Sequence, residues 1–534
     1  MEKKLIMAIA LSILIMVSFQ FFVAKPNVQV NPPVPIADKT MQPAPTASVV
    51  AASYIPPKPS IEEKEFVFET GKYILTFSNI GGGIKEIKLK DFNDLKTKEP
   101  LSLVRVKNPA EYLGATTNPV NTAMPDLSGY DIEKKDDTVI CHSRTGDFDI
   151  TKKYILHNSN RYIELQCLIK NISGSSKELS YGIIGGSGVS EASAQDKNSI
   201  EVTSKIDGKN VGYKRPRIGE KIFHPGIVGW TALKNKYFSV ILKPAMITKG
   251  QFCSEDSDGN LFMGIETDRV TLQSGSLLEN KYIIYAGPSS IPVLKEQGLG
   301  FEETVNYGFF GGITKALIVV LKFSYMIVRS WGLSIILLAI FLNVILFPLT
   351  AKSFRSMQKM QELHPQMEKL KIQLKDNPQK LNKEIMELYK KYNINPMSGC
   401  LPMLLQMPIF IALYQALMKS IELRSASFLW IKDLSSPEAI PLPVSFPIIG
   451  NTINILPLIM IAAMVVQQKM STKSMGSAVT AEQKQQQKMM LIMMPIIFGF
   501  IFYNMPSGLV LYWVVNTVLT IVEQKAVLKN TNVA

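Results

Sequence analysis

The chain has 534 residues, 46% of them hydrophobic, and a formal net charge of +14. That length exceeds one ordinary domain, and a mean hydropathy only just above zero means that apolar and polar stretches are segregated along it. Cys141, Cys167, Cys253 and Cys400 form no CxxC pair, and His142, His157, His224 and His364 show no ligand spacing. A disulfide framework, a structural metal and a cofactor are therefore not expected, although one disulfide among the first three cysteines stays open. The basic excess suits nucleic acid or a membrane surface. No nucleic-acid recognition motif is present, and the lysines fall where a membrane protein would put them.

Met1-Glu2-Lys3-Lys4 precedes an unbroken apolar run, Leu5 to Val23. At 1.5 Å per residue it spans about 29 Å, close to the hydrocarbon thickness of a bilayer. A signal peptide is the competing reading, but the run is long for one and no A-x-A site follows, so an uncleaved anchor over 1–24 is expected. Residues 25–60 carry nine prolines among small and polar residues and read as an extended tether.

Residues 61–305 read as one large antiparallel β-sandwich. Short alternating runs recur at 65–69, 73–77, 161–165 and 281–285, and turn-forming clusters such as Asn79 to Gly83 and Gly185 to Gly188 punctuate them. From 306 to 332 an amphipathic helix lying in the interface is expected, with Lys315, Lys322 and Arg329 among apolar residues and Trp331 at its boundary.

Residues 333–525 then hold five apolar spans, at 333–349, 399–418, 446–467, 489–504 and 506–524, followed by a tail at 526–534. With the anchor that makes six transmembrane helices. Segments 352–392 and 468–488 and the tail are rich in lysine, whereas the loop 419–445 has only Lys419, Arg424 and Lys432. The positive-inside rule puts both termini in the cytoplasm and the β-sandwich outside.

Segment 352–395 reads as a helical hairpin. Met360, Leu363, Met367, Leu370 and Leu374 form one stripe, Asp376-Asn377-Pro378 breaks the helix, and Leu381, Ile385 and Leu388 continue it. Two readings stand: a solvated basic loop held by its own seam, or a docking arm for incoming chains or ribosomes. In the spans, ionisable residues are absent from the interiors. Asn343, Gln406, Asn504, Ser507 and Asn516 supply polarity instead. Met403, Met407, Met489, Met490, Met493 and Met494 supply adaptable apolar surface. Interhelical hydrogen bonding accounts for any one amide, but the set points to a polar cavity. Prolines 348, 402, 408, 457, 495 and 506 add freed carbonyls that water or neighbours must satisfy. No Walker loop, HExxH, GxSxG or paired-carboxylate motif accompanies them.

Several stretches resemble the YidC family of insertases: Trp331-Gly332, Phe347-Pro348-Leu349-Thr350, Asn395-Pro396-Met397-Ser398-Gly399-Cys400-Leu401-Pro402, Gln406-Met407-Pro408-Ile409-Phe410 and Pro506-Ser507-Gly508-Leu509-Val510-Leu511-Tyr512-Trp513. They occur in order, and the resemblance extends over essentially the whole chain, in the Gram-negative form. It implies a non-enzymatic insertase and chaperone in the cell inner membrane. The membrane core would be polytopic and α-helical, with a periplasmic β-supersandwich domain. A hydrophilic groove, here assigned Asn343, Gln406, Asn504, Ser507, Tyr512, Trp513 and Asn516, would open to the cytoplasm and to lipid. Implied partners are nascent membrane proteins, the Sec translocon and membrane lipids. The family usually carries an arginine in the groove; that position matches Asn343, and a neighbouring position that is often a hydroxyl matches Ala339. The groove here is therefore expected to be polar but uncharged. A small-solute transporter, disfavoured by the missing internal repeat and ion-coupling residues, and a periplasmic glycan-binding protein are the rival classes; neither explains the hairpin together with the proline-rich core.

Overall fold

The structure is a computed structural model that describes residues 49–50, 61–94, 97–119, 124–189, 199–213, 215–216, 218, 220–256, 258–374, 377–392, 401–446, 450–474 and 481–531. The chain divides into two compact units, residues 1–306 and 307–534. The anchor 1–24, most of the tether and the 395–400 motif lie outside the described residues.

In the first unit, strict alternation builds antiparallel sheets. Phe148–Leu156 and Tyr162–Asn171 bury every second side chain, so each strand gives one face to a core while the other face is half-buried. Nine strands form one sheet, running in spatial order from Lys209–Gly212 at one edge, through Leu277–Pro288 at the centre, to Asp131–Lys135 at the other. A five-stranded sheet, which includes Thr248–Glu255 and Gly182–Ser187, and a four-stranded sheet spanning Glu65–Arg105 accompany it. Val49–Val50, within the expected tether, pairs with Ile222 and Lys221 as an edge strand.

One expectation is corrected here, and one open possibility is closed. The Gly185–Gly188 cluster is not a turn: Gly182–Ser187 is a fully buried strand with a bulge after Ile184. A Cβ on Gly185 would sit 2.6 Å from that of Leu242, so glycine there lets two sheets approach. The open disulfide is not formed either, because Cys141, Cys167 and Cys253 are buried free thiols. Cys141 and Cys167 lie on strands separated by Phe148–Leu156, and each pairs across with Lys152. Lys152 is fully buried. Its Nζ donates to Gly81 O at 2.7 Å and Gly114 O at 3.1 Å, and burial lowers its pKa.

A short helix, α1 (Ile291–Glu296), precedes the second unit, which is helical: α2 (Gly311–Val328), α3 (Trp331–Gln373), α4 (Pro378–Lys391), α5 (Leu401–Lys419), α6 (Ile455–Ser474), α7 (Ala481–Tyr503) and α8 (Ser507–Thr531). Among the described residues, α2, Trp331–Met360 of α3 and Ser507–Val527 of α8 are long and apolar enough to cross a membrane. The segments Ile455–Ser471 and Leu491–Tyr503 are shorter apolar helices.

The helix bounds depart from the sequence reading in three places. First, α3 is continuous over 43 residues, about 64 Å at 1.5 Å per residue, so the first core span and the first hairpin arm are one helix through Pro348 and Pro365. No glycine or proline stops it between 350 and 360. Second, the span expected from 446 begins only at Ile455; Ile440–Phe446 and Gly450–Ile453 form a β-hairpin instead. Pro441, Pro443 and Pro447 exclude a helix interior there. Third, α7 starts at Ala481 and α8 runs to Thr531, because Gln- and Lys-rich flanks are good helix formers.

Helix α2 buries Thr314, Leu317, Leu321 and Ser324, a single stripe. Its opposite face exposes Val319, Phe323, Met326 and Ile327, so both faces are largely apolar. The hairpin seam follows the expected stripes. Leu363 is buried, Met360, Met367, Leu370, Leu374, Leu381, Ile385 and Leu388 are half-buried, and the Tyr389 hydroxyl lies 3.6 Å from Met367 Sδ. Asn377 caps α4, its side chain accepting from Lys380 N at 3.1 Å with Pro378 at the first helical position. Ile372 and Met386 point outward from this basic arm.

Candidate functional site: a polar seam between two parallel helices

α3 and α8 run parallel in a fixed register in which residue n of α3 faces residue n + 173 of α8. Asn343 is 9% exposed; its Nδ2 donates to Ala339 O at 2.8 Å and to Asn516 Oδ1 at 2.9 Å. The amide pair lies about 18 Å along α3 from Trp331 and about 13 Å along α8 from Ser507, mid-span in both. One heptad further, the Thr350 hydroxyl lies 3.0 Å from Phe347 O and 3.3 Å from a carboxylate oxygen of Glu523. Ala351, Phe354 and Val527 then close the seam with an apolar cluster. Thr517 and Thr520 donate back to Trp513 O and Asn516 O, each at 2.8 Å, which satisfies their hydroxyls within α8.

Gln406 on α5 meets α8 separately, its Nε2 donating to the Tyr512 hydroxyl at 3.0 Å. Tyr512 is fully buried. Trp513 packs with Phe410, Phe498 and Phe502, ring centroids 5.1 to 5.6 Å away, in an aromatic cluster.

Asn504 and Ser507 stand apart from these groups. Asn504 is exposed in the α7–α8 turn, and Ser507 is buried at the first residue of α8, its hydroxyl donating to Ser436 O at 2.6 Å. They belong to a closure built by the 420–454 loop at the end of the bundle where α3, α6 and α8 begin. Glu438, 8% exposed, accepts from Trp430 Nε1 at 2.6 Å and from Leu456 N at 2.7 Å, which caps α6. Asn454 donates to Tyr503 O at 2.7 Å, ending α7, and accepts from Ala439 N. Gly508 N and Ser507 N bond to Leu434 O and Ser436 O, both at 2.9 Å. A Cβ on Gly332 would lie 2.1 Å from the Phe428 ring, so the start of α3 also presses on this loop. The sequence showed a lysine-poor loop over 419–445 but not this closure, whose polar groups are scattered over 420–454.

The sequence reading also overlooked Glu523. The statement that the spans lack interior ionisable groups is corrected here: α8 extends past 524, and Glu523 is half-buried on the seam. Outward from the seam the helices are apolar. Val344, Ile345 and Phe347 on α3, Ile496 and Phe500 on α7, and Val518 and Val522 on α8 are exposed, as on a lipid-facing surface.

The first unit has a cleft of about 490 Å³ lined by Arg105, Asn108, Glu111, Ser187, Asp256 and Asn260, among others. Burial, with Asp256 adding, pushes the Glu111 carboxyl up to about 7; Asn108 Nδ2 donates to it at 2.7 Å. Among the described residues, the lining has no aromatic side chain on which a sugar ring could stack.

Fold and seam together define a polytopic helical membrane protein joined to an all-β domain, with hydrogen-bonding groups inside the bundle and apolar faces outside. The family model described as 60Kd inner membrane protein matches residues 323–533, and the one described as YidC periplasmic domain matches 65–320. A membrane protein insertase YidC of Geotalea daltonii is 32% identical, covering 99% of this chain and 99% of its own. That of Geobacter sulfurreducens is 32% identical over 98% of each. A crystal structure of an active YidC insertase with its first transmembrane domain resolved aligns at 20% identity and a TM-score of 0.36, covering 88% of this chain and 93% of that one. The chain belongs to the YidC family.

Proposed function

We propose that this protein is a membrane protein insertase and chaperone of the inner membrane that lowers the barrier to moving polar flanks of nascent membrane proteins into the bilayer. The observation that carries the reading is the mid-span Asn343–Asn516 pair beside apolar outward faces. An incoming apolar segment gains on the order of 0.5 kcal/mol per Leu at the bilayer centre, whereas an Asp in its flank costs roughly 3 kcal/mol there. Amides and hydroxyls along α3, α5 and α8 offer hydrogen bonds half-way across. The segment then leaves into lipid along the apolar faces of the first and third core spans, α3 and α6. No covalent step and no nucleotide enter.

Lysine density places the α3–α4 hairpin, the α6–α7 connection and the tail in the cytoplasm, so the Glu438-capped closure faces the periplasm with residues 25–305. Both termini are then cytoplasmic, and α2 lies at the interface. The hairpin, with Ile372 and Met386 exposed among lysines, serves as a docking arm for nascent chains on ribosomes. Family membership supports association with the Sec translocon as part of this reading.

Purified protein in proteoliposomes tests the seam. Asn343→Leu with Gln406→Leu is expected to slow insertion of a reporter with a polar translocated tail about tenfold, with an apolar-tailed reporter much less affected. Equal insertion of both reporters by a folded double variant would contradict the reading. Uptake of small solutes by the same vesicles would favour a transporter.

A further inference from the structure

Among the described residues, one charge on the α3–α8 seam lacks a counter-charge. Glu523 lies two turns beyond Asn516, half-buried; among the described residues its hydrogen-bond donor is the Thr350 hydroxyl at 3.3 Å, and no lysine, arginine or histidine pairs with it. Lys352, Arg355 and Lys525 stand on neighbouring turns but are exposed, and side chains of that length snorkel toward lipid headgroups. Asn343 contributes no positive charge further along the seam. An ionised carboxylate in a membrane helix is costly, and such a residue marks a place where a cation or water meets the bundle. Apolar packing by Ala351, Phe354 and Val527 directly beyond it leaves the seam side as the approach.

Resting on the insertase reading and its orientation, we propose that Glu523 is a specificity-determining residue. It makes the cytoplasmic end of the seam anionic, and it engages a lysine or arginine flanking the apolar segment of an incoming chain. The basic flank is held on the cytoplasmic side while the apolar part moves past Asn343 and Asn516 into lipid. A substrate with acidic residues at that flank meets repulsion instead.

The test uses the full chain in proteoliposomes. Single-span reporters share one neutral translocated tail and carry Lys-Lys, Gln-Gln or Asp-Asp at the retained flank. Rates are read as ratios within each variant, so the lipid's own preference cancels. Glu523→Gln keeps an oxygen for Thr350 and removes the charge; it is expected to lower the Lys-to-Gln ratio about three- to tenfold. Glu523→Lys is expected to favour the Asp flank over the Lys flank. Ratios that agree within about twofold across the wild type and both variants would overturn the proposal. Failure of wild type to insert even the Gln-flanked reporter would overturn the insertase reading, and this assignment with it.

Discussion

A side-chain amide has donors and acceptors that must find partners when water is scarce, and the Asn343–Asn516 pair does this across two helices. The carbonyl of Ala339 takes a second proton of Asn343, so the pair is fixed without a charge. Losing one partner leaves the other amide buried and incompletely bonded, whereas losing both leaves only apolar contact. Asn343→Leu is therefore expected to destabilise the helical unit by about 1 kcal/mol, and Asn343→Leu with Asn516→Leu by less than the sum of the two single changes. Denaturation of the detergent-solubilised protein checks this; strictly additive losses would mean that the two amides do not interact. The individual amides were legible in the sequence because an asparagine inside an apolar run is conspicuous. Their pairing was not, since it depends on a register 173 residues apart that no local pattern encodes. Glu523 escaped notice because it sits where a span was expected to end.

Among the elements, the 420–454 loop does the most with the least signal. One buried carboxylate, Glu438, holds a tryptophan ring nitrogen and the first turn of α6, while Asn454 and Ser507 tie the loop to α7 and α8. Glu438→Ala strands two N–H groups at about 1–3 kcal/mol each. The expected outcome is faster limited proteolysis within 420–454, with the helical content of the bundle retained; an unchanged cleavage rate would show that the closure does not depend on this carboxylate. Here the sequence misled in a physical way. The apolar run near 446 has the hydropathy of a span, but its prolines impose a hairpin. Helix α3 misled in the opposite sense: the span expected to end at 349 and the first hairpin arm are one continuous helix, with Pro348 and Pro365 inside it.

At the scale of the molecule, segregation was the strongest signal. Period-two alternation separated the β-domain from the helical unit, and lysine placement distinguished the two ends of the bundle. The sequence placed Asn504, Ser507 and Asn516 in one groove, because polarity alone does not report depth. The structure puts Asn516 mid-span and Asn504 and Ser507 at the closed end. That difference in depth gives the most direct measurement. A photo-crosslinking residue is introduced at position 343, 516 or 504, and each variant is exposed to a ribosome-bound nascent membrane protein. Crosslinks are expected from 343 and 516 as the apolar segment emerges, and none from 504. Crosslinks from 504 with silence at 343 and 516 would contradict a substrate path along the α3–α8 seam.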